Sequence, residues 1–224
     1  MDLDRPPDIV VVAGGEPVAP GLVAVVTGAA LVVAADSGVD LALALGWRVD
    51  VAVGDFDSIT AEGAATLAAV ADVRHHPVAK DATDLELALE VAAERAPTLP
   101  AERCRVLVLG LEGGRPDHAL ANLLVAAADR FADLDVELVL AEGRAWVVRR
   151  DLAGHLTAGC VVSLVPVHGS ASVSVAGVRW PLDRSTLIAG TTRGVSNEAA
   201  GGPFSVTVHD GTVLCITPRT EESP

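Results

Sequence analysis

Val51-Ala52-Val53-Gly54-Asp55-Phe56-Asp57-Ser58 decides how this chain is read. Three small apolar residues make a short strand with no polar face. Such runs belong to parallel sheets covered on both sides. The strand stops at a glycine, and two carboxylates follow at i and i+2. Ligands of open α/β sheets bind beyond the carboxyl ends of the strands, so Asp55 and Asp57 stand where ligand chemistry is expected. In a turn, both reach one metal ion. The same pattern also serves as an Asp-rich turn, or as a helix start capped by Asp57 or Ser58. Paired Asp motifs of this kind occur in glycosyltransferases and phosphatases as well.

The arrangement recurs on either side. Leu31–Ala35 is a second apolar run and ends at Asp36-Ser37-Gly38, where Asp36 is a metal ligand or the cap of the next helix. Lys80-Asp81-Ala82-Thr83-Asp84 opens a helix through the capping box Thr83–Glu86. Three acidic clusters at one sheet edge repel one another unless a cation neutralises them. Mg²⁺ prefers oxygen ligands and usually accompanies a nucleotide phosphate. Magnesium-dependent phosphoryl chemistry is therefore the leading expectation.

Further elements extend the pattern. Strands are expected at residues 8–13, 73–78, 105–109 and 136–140. Helices are expected near 41–46, over 61–70, from Thr83 onward, and from Pro116 to about Phe131. Alternating apolar strands and helices predict a mostly parallel sheet flanked by helices. Past residue 150 the pattern changes to short β segments at 161–165, 171–175, 204–208 and 212–216, with no helix. The expected organisation is an α/β domain over 1–148, followed by a small C-terminal antiparallel β-sandwich domain over 149–224. Thr220–Pro224 reads as a frayed tail.

Composition narrows the function. The chain has 224 residues, half of them hydrophobic, enough for a sizeable core. A net charge of −14 argues against general nucleic-acid binding. Cys104, Cys160 and Cys215 form no CxxC pair, so neither a zinc site nor a disulfide framework is expected. No apolar stretch approaches the ~18 residues of a membrane span, and the N-terminus does not read as a signal peptide. A soluble, cytoplasmic protein is expected. Lys80 is the only lysine.

Two other stretches carry chemistry. Gly113-Gly114-Arg115-Pro116-Asp117-His118 joins a strand to a helix. Its glycines let backbone amides approach phosphate, and Arg115 can grip phosphate with two donors; a plain glycine turn is the simpler reading. In the C-terminal half, Trp180 offers a face for a flat cation, with Ser196 and Asn197 as hydrogen-bonding groups. On the sequence alone, a core tryptophan and a turn are the favoured reading of those residues.

Together, Ala35-Asp36-Ser37-Gly38, Gly54-Asp55-Phe56-Asp57-Ser58, Lys80-Asp81-Ala82-Thr83-Asp84, Gly114-Arg115-Pro116-Asp117-His118 with Asn122, Trp180-Pro181-Leu182 and Ser196-Asn197-Glu198 resemble the thiamine pyrophosphokinase family from about residue 9 to 217. The resemblance implies transfer of a diphosphoryl group from ATP to thiamine, with Mg²⁺, in a homodimer. Thiamine would lie between one subunit's α/β domain and the other's β domain. By position, Asp36, Asp55, Asp57 and Asp84 would form the catalytic, Mg²⁺-binding cluster. Thr83, Arg115, Asp117 and His118 would lie at the ATP phosphates. Trp180, Ser196 and Asn197 would line the thiamine pocket. The first loop departs from the family, with Gly14-Gly15 where Asn-Gly is frequent, and Ser37 stands where glycine is common. A pyrophosphokinase for another heteroaromatic alcohol of the pterin type, or a non-catalytic thiamine or nucleotide sensor, are the alternatives.

Overall fold

The computed structural model describes residues 6–16, 29–113 and 115–218. Gly114 and the tail Thr220–Pro224 lie outside the described residues. The chain divides into two compact units, the first spanning residues 6–141 and the second beginning at Glu142.

Among the described residues, the first unit is built on six parallel strands. They are β1 (Ile9–Val12), β2 (Leu31–Ala35), β3 (Val51–Gly54), β4 (Asp72–His75), β5 (Cys104–Leu109) and β6 (Leu134–Leu140). Their order across the sheet is β6-β5-β1-β2-β3-β4, every pair parallel. Every residue of β1, β3 and β5 is buried, as a parallel strand covered on both faces requires. Among the described residues, four α-helices accompany them: α1 (Gly38–Ala44), α2 (Ala61–Leu67), α3 (Asp84–Arg95) and α4 (Pro116–Ala126). Val39, Leu41 and Ala42 of α1 join Val10, Val12, Ala34, Ala52, Leu107 and Leu109 in one core. Helix α3 packs over β1, β2 and β3. The chain runs outward from β1 to β4, then returns to the other side of β1 at β5. That reversal opens a crevice at the carboxyl ends of β1 and β5.

Local chemistry sets the helix starts. Thr60 Oγ1 accepts a bond from Gly63 N at 3.1 Å, and Thr83 Oγ1 one from Glu86 N at 3.2 Å, so each caps its helix. The Glu86 carboxylate goes to Arg130. Pro116 occupies the first position of α4, where its missing N–H costs nothing. This helix is shorter than the expected run to Phe131. It ends at Ala126, and a separate 3₁₀ turn (Asp129–Phe131) follows. The turn places Phe131 in the core, 1% exposed, with the Arg130 guanidinium 4.9 Å above its ring. Strand β4 stops three residues before the expected end, ahead of Pro77, which has no N–H to continue the ladder.

The second unit is antiparallel. It contains β7 (Gly143–Val148), β8 (Asp151–Leu156), β9 (Val161–Ala176), β10 (Leu182–Leu187), β11 (Asn197–Glu198) and β12 (Gly202–Pro218). The expected segments 161–165 and 171–175 are one strand, and so are 204–208 and 212–216. Strand β9 turns at His168 (φ 60) and Gly169 (φ 131), and β12 shifts register between Val208 and Thr212 around Gly211 (φ 80). Bulges of this kind bend a strand without ending it. The first half of β12 pairs with β8 and the second half with β7, while β9 pairs along both. Trp146, Leu152, Leu164, Val173, Phe204 and Cys215 share one buried core. Among the described residues, no helix is long and apolar enough to cross a membrane.

Candidate functional site

In the first unit, the ends of β1, β2, β3 and β5 and the start of α3 line a cleft of about 640 Å³. Asp36, Asp55, Asp57 and Asp84 all face it. One carboxylate oxygen from each of Asp36, Asp55 and Asp57 falls within 4.8 Å of the others. Backbone geometry makes this possible. Asp36 (φ 47) and Phe56 (φ 59) both adopt the left-handed conformation that side chains disfavour. Non-glycine residues held this way cluster at functional sites. Gly54 (φ 148) leaves little room for a side chain, since an added Cβ would sit 3.1 Å from Asp84 Oδ1 and 3.2 Å from Asp36 Cα. Its absence lets Asp36 and Asp84 approach.

The electrostatics are uneven. Burial pushes the Asp36 carboxyl above its usual range, and the nearby charges of Asp84, Asp55 and Asp57 push the same way. Asp36 Oδ1 is shut off from solvent and has no hydrogen-bond partner among the described residues. Asp55 is held below the usual range by its hydrogen bond from Lys80. Lys80 Nζ reaches Asp55 Oδ2 at 2.7 Å and Asp84 Oδ1 at 2.9 Å. Burial works to lower the Lys80 ammonium, but its two carboxylate partners outweigh that and hold it above its ordinary value. Ser58 Oγ donates to Asp57 Oδ1 at 2.7 Å.

Two loops close the floor of the cleft. Gly15 N donates to Gly110 O at 2.7 Å, and Glu16 N donates to Glu112 O at 2.6 Å. Buried Asn122 on α4 donates from Nδ2 to Leu111 O at 2.7 Å, fixing the same segment. Thr83, Arg115 and His118 line the cleft. Asp117 is turned instead to Arg115, whose Nη2 lies 2.6 Å from Asp117 Oδ2. That hydrogen bond holds the Asp117 carboxyl below its usual range.

The second unit has its own pocket of about 340 Å³, lined by Val162, Leu164, Val175, Trp180, Leu182, Arg193, Gly194, Val195, Ser196 and Asn197. All three residues expected here, Trp180, Ser196 and Asn197, line it. The Asn197 amide is committed to the Trp180 backbone: Nδ2 donates to Trp180 O at 2.7 Å, and Oδ1 accepts from Trp180 N at 3.1 Å. Asn197 thus positions Trp180. The Trp180 ring is half exposed, with the Arg179 guanidinium 4.7 Å from its centroid. Glu198 holds Arg179 at 2.9 Å.

Residues 23–138 match the model of the thiamin pyrophosphokinase catalytic domain, and residues 149–213 match that family's vitamin B1 binding domain. The chain belongs to the thiamin pyrophosphokinase family. Its enzyme class is that of the family. It is 27% identical over 168 residues to the thiamine pyrophosphokinase of Bacillus subtilis (strain 168), covering 69% of this chain and 72% of that one. The crystal structure of the thiamin pyrophosphokinase from Geobacillus thermodenitrificans superposes with a TM-score of 0.77 at 27% identity, covering 96% of this chain and all of that one. The Candida albicans thiamin pyrophosphokinase shares the fold at a TM-score of 0.76 with only 13% identity, over 96% of this chain and 90% of its own.

Within this thiamin pyrophosphokinase fold, two features escaped the motif reading. Arg193 in the second pocket lies three residues before Ser196, but no charge pattern marks it. The Gly15–Glu112 seam joins residues nearly a hundred positions apart, and only the pairing of β1 with β5 brings them together.

Proposed function

We propose that the chain transfers the diphosphoryl group of ATP to the primary hydroxyl of thiamine, giving thiamine diphosphate and AMP, and that the carboxylate cleft is where Mg²⁺ and the nucleotide phosphates bind. The observation that carries this is the convergence of Asp36, Asp55 and Asp57 at the carboxyl edge of the sheet, with the buried Asp36 Oδ1 left without a hydrogen-bond partner among the described residues. An oxygen-only donor set of this kind suits a hard divalent cation, so Asp36, Asp55 and Asp57, with Asp84 beside them, would hold it. When bound, Mg²⁺ would neutralise phosphate charge as the bond between the α- and β-phosphates breaks.

The rest of the chemistry belongs to the protein. Arg115 and His118 stand at the cleft wall for phosphate oxygens, and the start of α3 offers backbone N–H groups there. A carboxylate of the cluster takes the proton of the attacking hydroxyl. The loops tied together at Gly15 and Glu112 keep the floor rigid, so that rate comes from positioning and preset charge. Trp180 offers a π-face to the thiazolium cation, while Asn197 holds that tryptophan in place. We read β9 and β12, each bent at its midpoint, as folding the second unit into two layers around one core, a β-sandwich. A cytoplasmic homodimer completes the proposal, supported by the family resemblance.

An AMP-release assay with Mg-ATP tests the substrate. AMP formation should depend on thiamine and be unaffected by a hydroxymethylpterin; the reverse preference, or no alcohol dependence, would overturn the reading. Asp55→Asn and Asp57→Asn should each lower turnover at least ~100-fold. Near-normal rates in both would remove the metal assignment.

A further inference from the structure

Lys80 sits between two carboxylates of the cluster, 2.7 Å from Asp55 Oδ2 and 2.9 Å from Asp84 Oδ1, with its side chain 12% exposed. A divalent cation drawing one oxygen each from Asp36, Asp55 and Asp57 would share Asp55 with this ammonium. Two cations on one carboxylate repel each other strongly at such separations. The residue type matters. The chain carries 16 Lys and Arg side chains and only one is lysine, so the other 15 are arginine. Arginine forms a rigid two-pronged clamp on carboxylates, as Arg74 does with Glu94. Lysine is a compact point charge on a flexible stem, suited to letting go. Between Asp55 and Asp84 the cation is therefore the residue type easier to displace.

We propose that Lys80 is a built-in counter-ion of the carboxylate cleft, which holds Asp55 and Asp84 in place and is displaced from Asp55 when a divalent cation binds. The proposal rests on the metal reading above. It makes Lys80 a positioning residue: it keeps the four carboxylates from driving one another apart before loading, and it sets the apparent affinity for the ion. If the ammonium occupies its partners about nine-tenths of the time, it weakens apparent cation binding about tenfold.

Because Lys80 is the only lysine, protein labelled with ¹⁵N-lysine gives a single ammonium signal. In metal-free protein that signal should show slow hydrogen exchange, as a buried paired ammonium does. On titration with Mg²⁺ alone it should move toward the position of free lysine and exchange faster, while calorimetry on the same sample registers binding. Lys80→Met should bind Mg²⁺ about tenfold more tightly. An unmoved Lys80 signal with Mg²⁺ bound overturns the displacement while leaving the metal site standing. No Mg²⁺ binding by either method overturns both.

Discussion

Replacing Gly15 by alanine probes the floor of the cleft most sharply. An ideal Cβ at this position would lie 2.1 Å from Glu112 O and 2.3 Å from Gly110 O, both backbone atoms that no rotamer change can move aside. Restoring a tolerable contact of about 3 Å requires the two loops to separate by nearly 1 Å. That movement breaks the bonds from Gly15 N to Gly110 O and from Glu16 N to Glu112 O. Two backbone bonds at about 0.5–1.5 kcal/mol each give a loss of about 1–3 kcal/mol. For a chain of this size that corresponds to a fall in Tm of roughly 2–12 °C. The activity loss should be larger in proportion, because a displacement of about 1 Å at a positioning loop costs roughly 100-fold. Thermal unfolding followed by circular dichroism, together with kcat/KM for ATP, measures both. Gly46→Ala is the control. Gly46 has φ 72 and open space around it, so alanine there brings backbone strain of about 1 kcal/mol and leaves the cleft untouched. If Gly15→Ala matches wild type in both Tm and kcat/KM, the two loops are not locked together as described.

Three further outcomes follow from charged side chains and their surroundings. Arg105 and Glu137 form an ion pair with side chains 2% and 0% exposed, so Glu137→Ala should cost about 3–5 kcal/mol in urea unfolding, whereas Arg105→Met with Glu137→Leu should stay near wild type. Asp36 is raised above its unfolded value, so its folded form gains stability at acid pH and loses it as pH climbs through the folded pKa; Asp36→Asn should therefore raise the Tm of the metal-free protein at pH 7 while lowering turnover at least ~100-fold. Asp72 is lowered, chiefly by its hydrogen bonds with Arg74, so it contributes stability above the unfolded value of about 3.9 that disappears as pH falls through its folded pKa. Asp72→Asn should flatten the acid limb of the stability–pH curve and leave a pH-dependent difference from wild type absent only at the acid end.

The α/β unit was legible because burial on both faces writes a strand as an unbroken apolar run. The runs read at 8–13, 51–53 and 105–109 fall on β1, β3 and β5, and each ends in the turn that carries site residues. The antiparallel unit was harder. His168-Gly169 and Asp210-Gly211 have the composition of turns, so each long bent strand read as two short ones. Strands β8 (Asp151–Leu156) and β10 (Leu182–Leu187) alternate too weakly to stand out, since most of their residues are exposed or half-buried. At the site, the carboxylates were visible because they follow strand ends in sequence. The hold of Lys80 on Asp55 spans 25 residues and depends on how the segment after β4 returns over β3. The pairing of Asn197 with the Trp180 backbone likewise needs the fold to bring together residues 17 positions apart.

Phosphorus NMR of the purified protein with Mg-ATP and thiamine tests the central claim most directly, because it reports which phosphorus is attacked. Equal formation of AMP and thiamine diphosphate, abolished in Asp57→Asn, is the predicted result. ADP with thiamine monophosphate, or ATP left unchanged by folded protein, would contradict it.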